Sequence, residues 1–136
     1  MRFFAVEGER IVARGQCQPE NLNSYARLGR IVMFSAADSE GCWWDTVQQT
    51  LKPKTELTGV SADVATIVAD GQDEATITGI PEGAWVAING SDDPQTIVAD
   101  GATPVVVKRS TPGMIHVAID HARHFELVIA VEATAQ

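Results

Sequence analysis

Three histidines and one aspartate fall within nine residues, at His116, Asp120, His121 and His124. Histidine and carboxylate are the side chains of metal sites and of proton transfer, but a transition-metal centre needs several ligands converging on one point with further hydrogen bonds behind them. On a strand His116 and Asp120 share a face, while His121 and His124 straddle the turn that follows. That spacing matches no ligand pattern, so the group reads as solvated turn histidines, and neither a metal nor a cofactor is expected. Nucleophilic chemistry has less to work with: neither Cys17, Cys42 nor any serine lies in a Gly-x-Ser-x-Gly elbow, and no glycine-rich phosphate loop occurs. Acidic pairs such as Asp73-Glu74 and Asp92-Asp93 fall in turns, where aspartate is favoured for its local hydrogen bonds. Asp92, Asp93 and Asp100, or Asp70 and Asp73, are the alternative reading as a calcium site, without the spacing of an EF-hand loop. No nucleophile and base are arranged together, and the chain reads as a non-enzyme.

The aromatic residues point to contact rather than catalysis. Trp43 and Trp44 are neighbours in a strand-like segment, so one ring can enter a core while the other faces outward. The outward ring is a candidate partner contact, with packing beneath the hairpin of residues 2–14 or against the second unit as the alternative. Trp85 admits the same two readings. Phe3, Phe4 and Tyr25 complete the set of candidate contact residues.

Short strands must position these side chains. Phe3-Phe4-Ala5-Val6 and Arg10-Ile11-Val12-Ala13-Arg14 flank Glu7-Gly8-Glu9, which predicts a β-hairpin over residues 2–14. Pro19 at a first helical position, apolar residues at Leu22, Tyr25, Ala26 and Leu28, and Gly29 as a stop predict a short helix over about 19–28. Arg30-Ile31-Val32-Met33-Phe34 and Cys42-Trp43-Trp44-Asp45-Thr46-Val47 read as strands. Over residues 48–55 the apolar pattern lapses around Pro53 and its flanking lysines, as in a connection between units. The expected division is an N-terminal docking unit over 1–52 and a second unit over 56–136.

In that second unit, strands are expected at about 56–60, 64–69, 74–79, 84–89, 95–99, 104–109, 114–119 and 125–132. Asp70-Gly71, Pro81-Glu82-Gly83, Asn89-Gly90, Asp100-Gly101 and Pro112-Gly113 mark the turns. Alternation places Ala75 and Ile77 opposite Thr76 and Thr78, and Val86 and Ile88 opposite Trp85 and Ala87. One hexapeptide, Thr66-Ile67-Val68-Ala69-Asp70-Gly71, returns unchanged as Thr96-Ile97-Val98-Ala99-Asp100-Gly101. It reads as pseudo-symmetry within one domain, or as coincidence at two similar hairpins. The fold class expected is mainly β: a small hairpin and short-helix unit followed by an immunoglobulin-like antiparallel β-sandwich.

Charge divides along the same boundary. Residues 1–55 carry seven Lys/Arg and six Asp/Glu, whereas residues 56–136 carry three and twelve, net −9. An acidic second unit repels phosphate backbones, so nucleic acid is not expected as a partner. No apolar run reaches the roughly 18–20 residues needed to cross a bilayer, and Met1-Arg2-Phe3-Phe4-Ala5-Val6-Glu7 meets a carboxylate too early for a secretory signal. A chain made in the cytoplasm without membrane contact is expected, with Cys17 and Cys42 as buried thiols and a disulfide between them as the alternative.

Residues 60–71, followed by Glu74-Ala75-Thr76-Ile77-Thr78, resemble the first two strands of bacterial immunoglobulin-like domains of the invasin type. The stretch from Ile77-Thr78-Gly79-Ile80-Pro81 to Trp85-Val86 is similar to the opening of sandwich modules in phage structural proteins. The whole chain, with its hairpin ending at Gly15-Gln16-Cys17, its Trp43-Trp44-Asp45 segment, its Lys-Pro-Lys connector and its terminal sandwich, resembles small virion proteins of tailed bacteriophages. That resemblance implies a non-enzymatic structural protein of the virion, attached to the tail or fibre region through its N-terminal unit and multimeric in the assembly. Its implied partners are other tail, fibre or capsid proteins. Capsid decoration is one alternative, and a module binding a host-surface glycan through an exposed tryptophan is another.

Overall fold

The computed structural model describes residues 2–16, 31–34 and 40–136. Among them are thirteen β-strands and no helix. The short helix expected over about 19–28 lies outside the described residues. The chain divides into two compact units, Met1–Thr55 and Glu56–Gln136.

In the first unit, β1 (Arg2–Glu7) and β2 (Arg10–Gln16) form the hairpin, and β3 (Ile31–Phe34) pairs with the other side of β1. Ala5 stands opposite Ala13 but Val6 opposite Ile11, so Val12 is one residue too many and the strand bulges there. A second hairpin joins β4 (Cys42–Asp45) to β5 (Thr50–Pro53). Asp45 closes its turn: Oδ1 accepts the N–H groups of Val47 and Gln48, both at 2.9 Å, and Oδ2 lies 2.9 Å from Lys52 Nζ. The core is Phe4, Val6 and Trp44, with Ile11 and Leu51 packed against it.

Part of the expected connection over 48–55 is therefore a strand. A lone Leu51 among polar neighbours shows no period in sequence, yet it has an apolar cluster to cover once β5 is paired. Pro53 causes no conflict, because it ends a strand whose only partner among the described residues is β4.

The second unit holds a three-stranded and a five-stranded sheet. The first has the order β11-β8-β6, from β6 (Ser61–Ala62), β8 (Ala75–Thr78) and β11 (Val105–Val107). The second has the order β10-β9-β12-β13-β7, from β7 (Thr66–Val68), β9 (Trp85–Asn89), β10 (Gln95–Val98), β12 (Gly113–Asp120) and β13 (Leu127–Thr134). Neighbours are antiparallel except β7 and β13. Alternate residues from both sheets, among them Ile77, Val86, Val107, Ile115, Val117, Ile119 and Val131, meet in one buried cluster. The strand expected at about 56–60 forms instead at Ser61–Ala62. Gly59 has φ +77°, which breaks an extended run, and its carbonyl oxygen would lie 1.9 Å from a Cβ on Gly79.

The repeat now has a geometric meaning. Each hexapeptide copy opens a run of three strands that starts in the five-stranded sheet, crosses to the three-stranded one and returns, as β7-β8-β9 and again as β10-β11-β12. Thr76 stands opposite Val106, and Ala87 opposite Ala118. Corresponding residues of the two halves thus face each other across adjacent strands, as they do about a two-fold axis. The identical hexapeptides end up as the two outer strands of one sheet, β7 at one edge and β10 at the other.

Candidate functional site

The candidate contact residues separate sharply. Phe4 and Trp44 are buried against each other, with ring centroids 5.5 Å apart at 53°, and their surface is consumed by the core of the first unit. Trp43, facing the other way on β4, is half-buried with Lys52 Nζ 6.0 Å from its ring centre. Phe3 is described only by its backbone, opposite Gly15 and Phe34. Tyr25 and Cys17 lie outside the described residues, and Cys42 is half-buried at the start of β4.

Trp85 belongs to a different setting, the outward side of the five-stranded sheet, where it is 52% exposed. Its cross-strand neighbours are Val98 on β10 and Asp120 on β12. The next row along the strands is Thr96, Ala87, Ala118 and Val128, and beyond it stand Asn89, His116 and Ala130. Val98 is 67% exposed, Val128 53% and Met114 43%. Val86, Ile88, Val117 and Val131 occupy the inward positions of the same strands, so strict alternation leaves this apolar set facing outward. Small alanines in the middle with larger side chains around them make a flat, accessible surface. Two depressions elsewhere on the unit, one lined by Thr78, Ile80 and Thr103 and the other by Glu74, Ser91 and Lys108, each hold about 200 Å3. That is below the roughly 300 Å3 at which small-molecule sites begin, so the sheet face is the better candidate.

Turn geometry takes up the residues that looked chemical. Asp70 Oδ1 accepts the N–H groups of Gln72 and Asp73, both at 2.8 Å, and Asp100 Oδ1 accepts those of Ala102 and Thr103 at 2.8 and 2.7 Å. The Thr103 hydroxyl donates to Asp100 Oδ2 and, with these N–H groups, holds the Asp100 carboxyl down from 3.8 to about 2. Asp70, Asp92 and Asp45 are also held below the ordinary aspartate value, chiefly by the Asp73 N–H, the Ser110 hydroxyl and the Gln48 N–H respectively. His121 Nδ1 accepts the Arg123 N–H at 3.1 Å, so the ring hydrogen sits on Nε2 and donates to the Glu82 carbonyl at 3.2 Å. His116 and Asp120 do share the outward face of β12, while His121 and His124 meet in the following turn with ring centres 5.1 Å apart and planes tilted by 55°. Among the described residues no group of three or more His, Cys, Asp or Glu is placed to hold a metal ion.

One feature escaped sequence reasoning. The identical hexapeptides run through the outer strands β7 and β10 but are finished differently. Val68 N–H donates to Asp73 Oδ2 at 2.7 Å, and the Val68 carbonyl accepts the Asp70 N–H at 2.9 Å. The residue matching Asp73 in the second copy is Thr103, whose hydroxyl turns back to Asp100 instead. That single difference in sequence was the available signal. Comparison with protein-family models, curated proteins and solved structures finds no match to the chain.

Proposed function

We propose that Glu56–Gln136 is an immunoglobulin-like β-sandwich, and that the whole chain is a non-enzymatic structural protein of a tailed-phage particle, attached to the tail or fibre region through its first unit. The strand order supports the fold: β6-β8-β11 against β10-β9-β12-β13 corresponds to strands A-B-E against C′-C-F-G of that class, around one buried cluster. The likeness of residues 60–78 to invasin-type domains points the same way. One observation carries the contact role: Trp85, Val98, Val128 and Met114 are large apolar side chains exposed on one sheet face of an otherwise acidic unit. Gold-labelled antibody against the chain should mark the tail or fibre region of purified particles. Labelling of the head would favour capsid decoration, and particles lacking the chain would end the reading.

A second reading, a glycan-binding module, is favoured by Trp85 itself, a half-exposed ring on a sheet face with Asp120 opposite. A glycan array in which Trp85→Ala leaves every signal unchanged removes Trp85 from that role.

A further inference from the structure

The two edges of the five-stranded sheet differ in what they leave open. Along β10, Ala99 N–H donates to the Ala84 carbonyl, so Ala99, Ile97 and Gln95 direct their backbone groups to β9. Thr96 and Val98 consequently point their N–H and C=O groups away from the sheet, toward a side on which no strand pairs among the described residues. On β7 the corresponding groups of Val68 are both occupied, as described above. An exposed strand edge is a template for another extended chain.

The surroundings say what kind of chain. An added strand would place alternate side chains on the outward face beside Val98 and Thr96, with Trp85 one strand further in, so apolar residues suit those positions. Asp92 and Asp93 precede β10 and Asp100 follows it, so carboxylates stand at both ends of an edge about 13 Å long. A second copy pairing antiparallel through β10 would bring these aspartates against one another. A cationic partner would instead be matched at both ends.

We propose that the β10 edge docks an extended segment of a partner protein, with apolar residues at alternate positions and a Lys or Arg at each end. The inference goes beyond the particle reading and does not rest on it.

The test titrates the full chain with the synthetic peptide Lys-Thr-Val-Thr-Val-Thr-Lys and follows backbone amide shifts. Saturable shifts centred on Thr96 and Val98 are expected. Two variants close the edge by different means. Val98→Pro removes an outward N–H without breaking a bond to β9, and Thr103→Asp supplies the carboxylate that Asp73 supplies in the other copy. Each should weaken binding roughly tenfold or more while thermal unfolding confirms the fold, and a peptide with Glu in place of Lys should not bind. Affinity unchanged in both variants, shifts centred elsewhere, or no saturation at millimolar peptide overturns the proposal. A peptide-free dimer that Val98→Pro dissolves makes a second copy the occupant and overturns it as well.

Discussion

Asp92 grips Ser110 at two points, Oδ1 accepting its N–H at 2.9 Å and Oδ2 accepting its hydroxyl. Asp92 N–H donates to the Lys108 carbonyl and Gly71 N–H to the Arg109 carbonyl, so the loops after β7, β9 and β11 are tied together at one end of the second unit. Ser110→Ala keeps the backbone bond and loses the hydroxyl, which should lower the Tm of this unit by about 4 °C. Asp92→Ala loses both and should lower it further. Calorimetric scans matching the parent for both variants would show the tie to be idle.

Acid should loosen the protein in a defined window. The carboxyls of Asp45, Asp70, Asp92 and Asp100 all bind protons more weakly folded than unfolded. Their contribution is present above the unfolded value near 3.8 and is lost as pH falls from about 4 toward 2, the value to which Asp100 is held. Urea midpoints measured across this range should drop steeply, and Asp100→Asn should start lower at neutral pH and drop less. Parallel curves for the two proteins would remove Asp100 from the acid response.

The close approach at Gly79 sets up a contrast between two glycines of similar φ. A Cβ at Gly79 (φ +83°) meets the Gly59 carbonyl oxygen at 1.9 Å, whereas one at Gly83 (φ +84°) meets nothing within 4 Å. Gly83→Ala should cost about 1 kcal/mol, the conformational penalty alone. Gly79→Ala should cost roughly 3 kcal/mol or more, because backbone must shift as well. Equal losses in denaturant titrations would contradict the contact.

The tryptophans should part company in the same assay. Trp44→Ala empties the core shared with Phe4 and Val6 and should destabilise the first unit by about 3–5 kcal/mol. Trp85→Ala removes a half-exposed ring and should change stability by less than about 1 kcal/mol.

Legibility in sequence follows how local each feature is. β8, β9 and β12 can be read directly, because Ala75/Ile77, Val86/Ile88 and Ile115/Val117/Ile119 alternate with outward residues and glycine-containing turns such as Asp70-Gly71, Asn89-Gly90 and Pro112-Gly113 mark their ends. β5 is illegible, since Leu51 gains a role only from Phe4, Val6 and Trp44, brought to it by the fold. For Trp43 and Trp44, adjacency shows that the rings diverge but not which turns inward. The unequal sheet edges depend on strand order, which no local pattern encodes, although the Asp73 and Thr103 difference was visible in the two copies.

Asp73 also bears on whether copies of this protein can polymerise. A chain of molecules extending one sheet indefinitely would set the β10 edge of one copy against the β7 edge of the next, a head-to-tail contact that never closes. With the Val68 N–H and C=O already bonded within the chain, the β7 edge offers a second strand less than the β10 edge does. The Asp73 carboxylate and the Asp70 N–H thus leave the two ends of this sheet unequal as sites for head-to-tail growth.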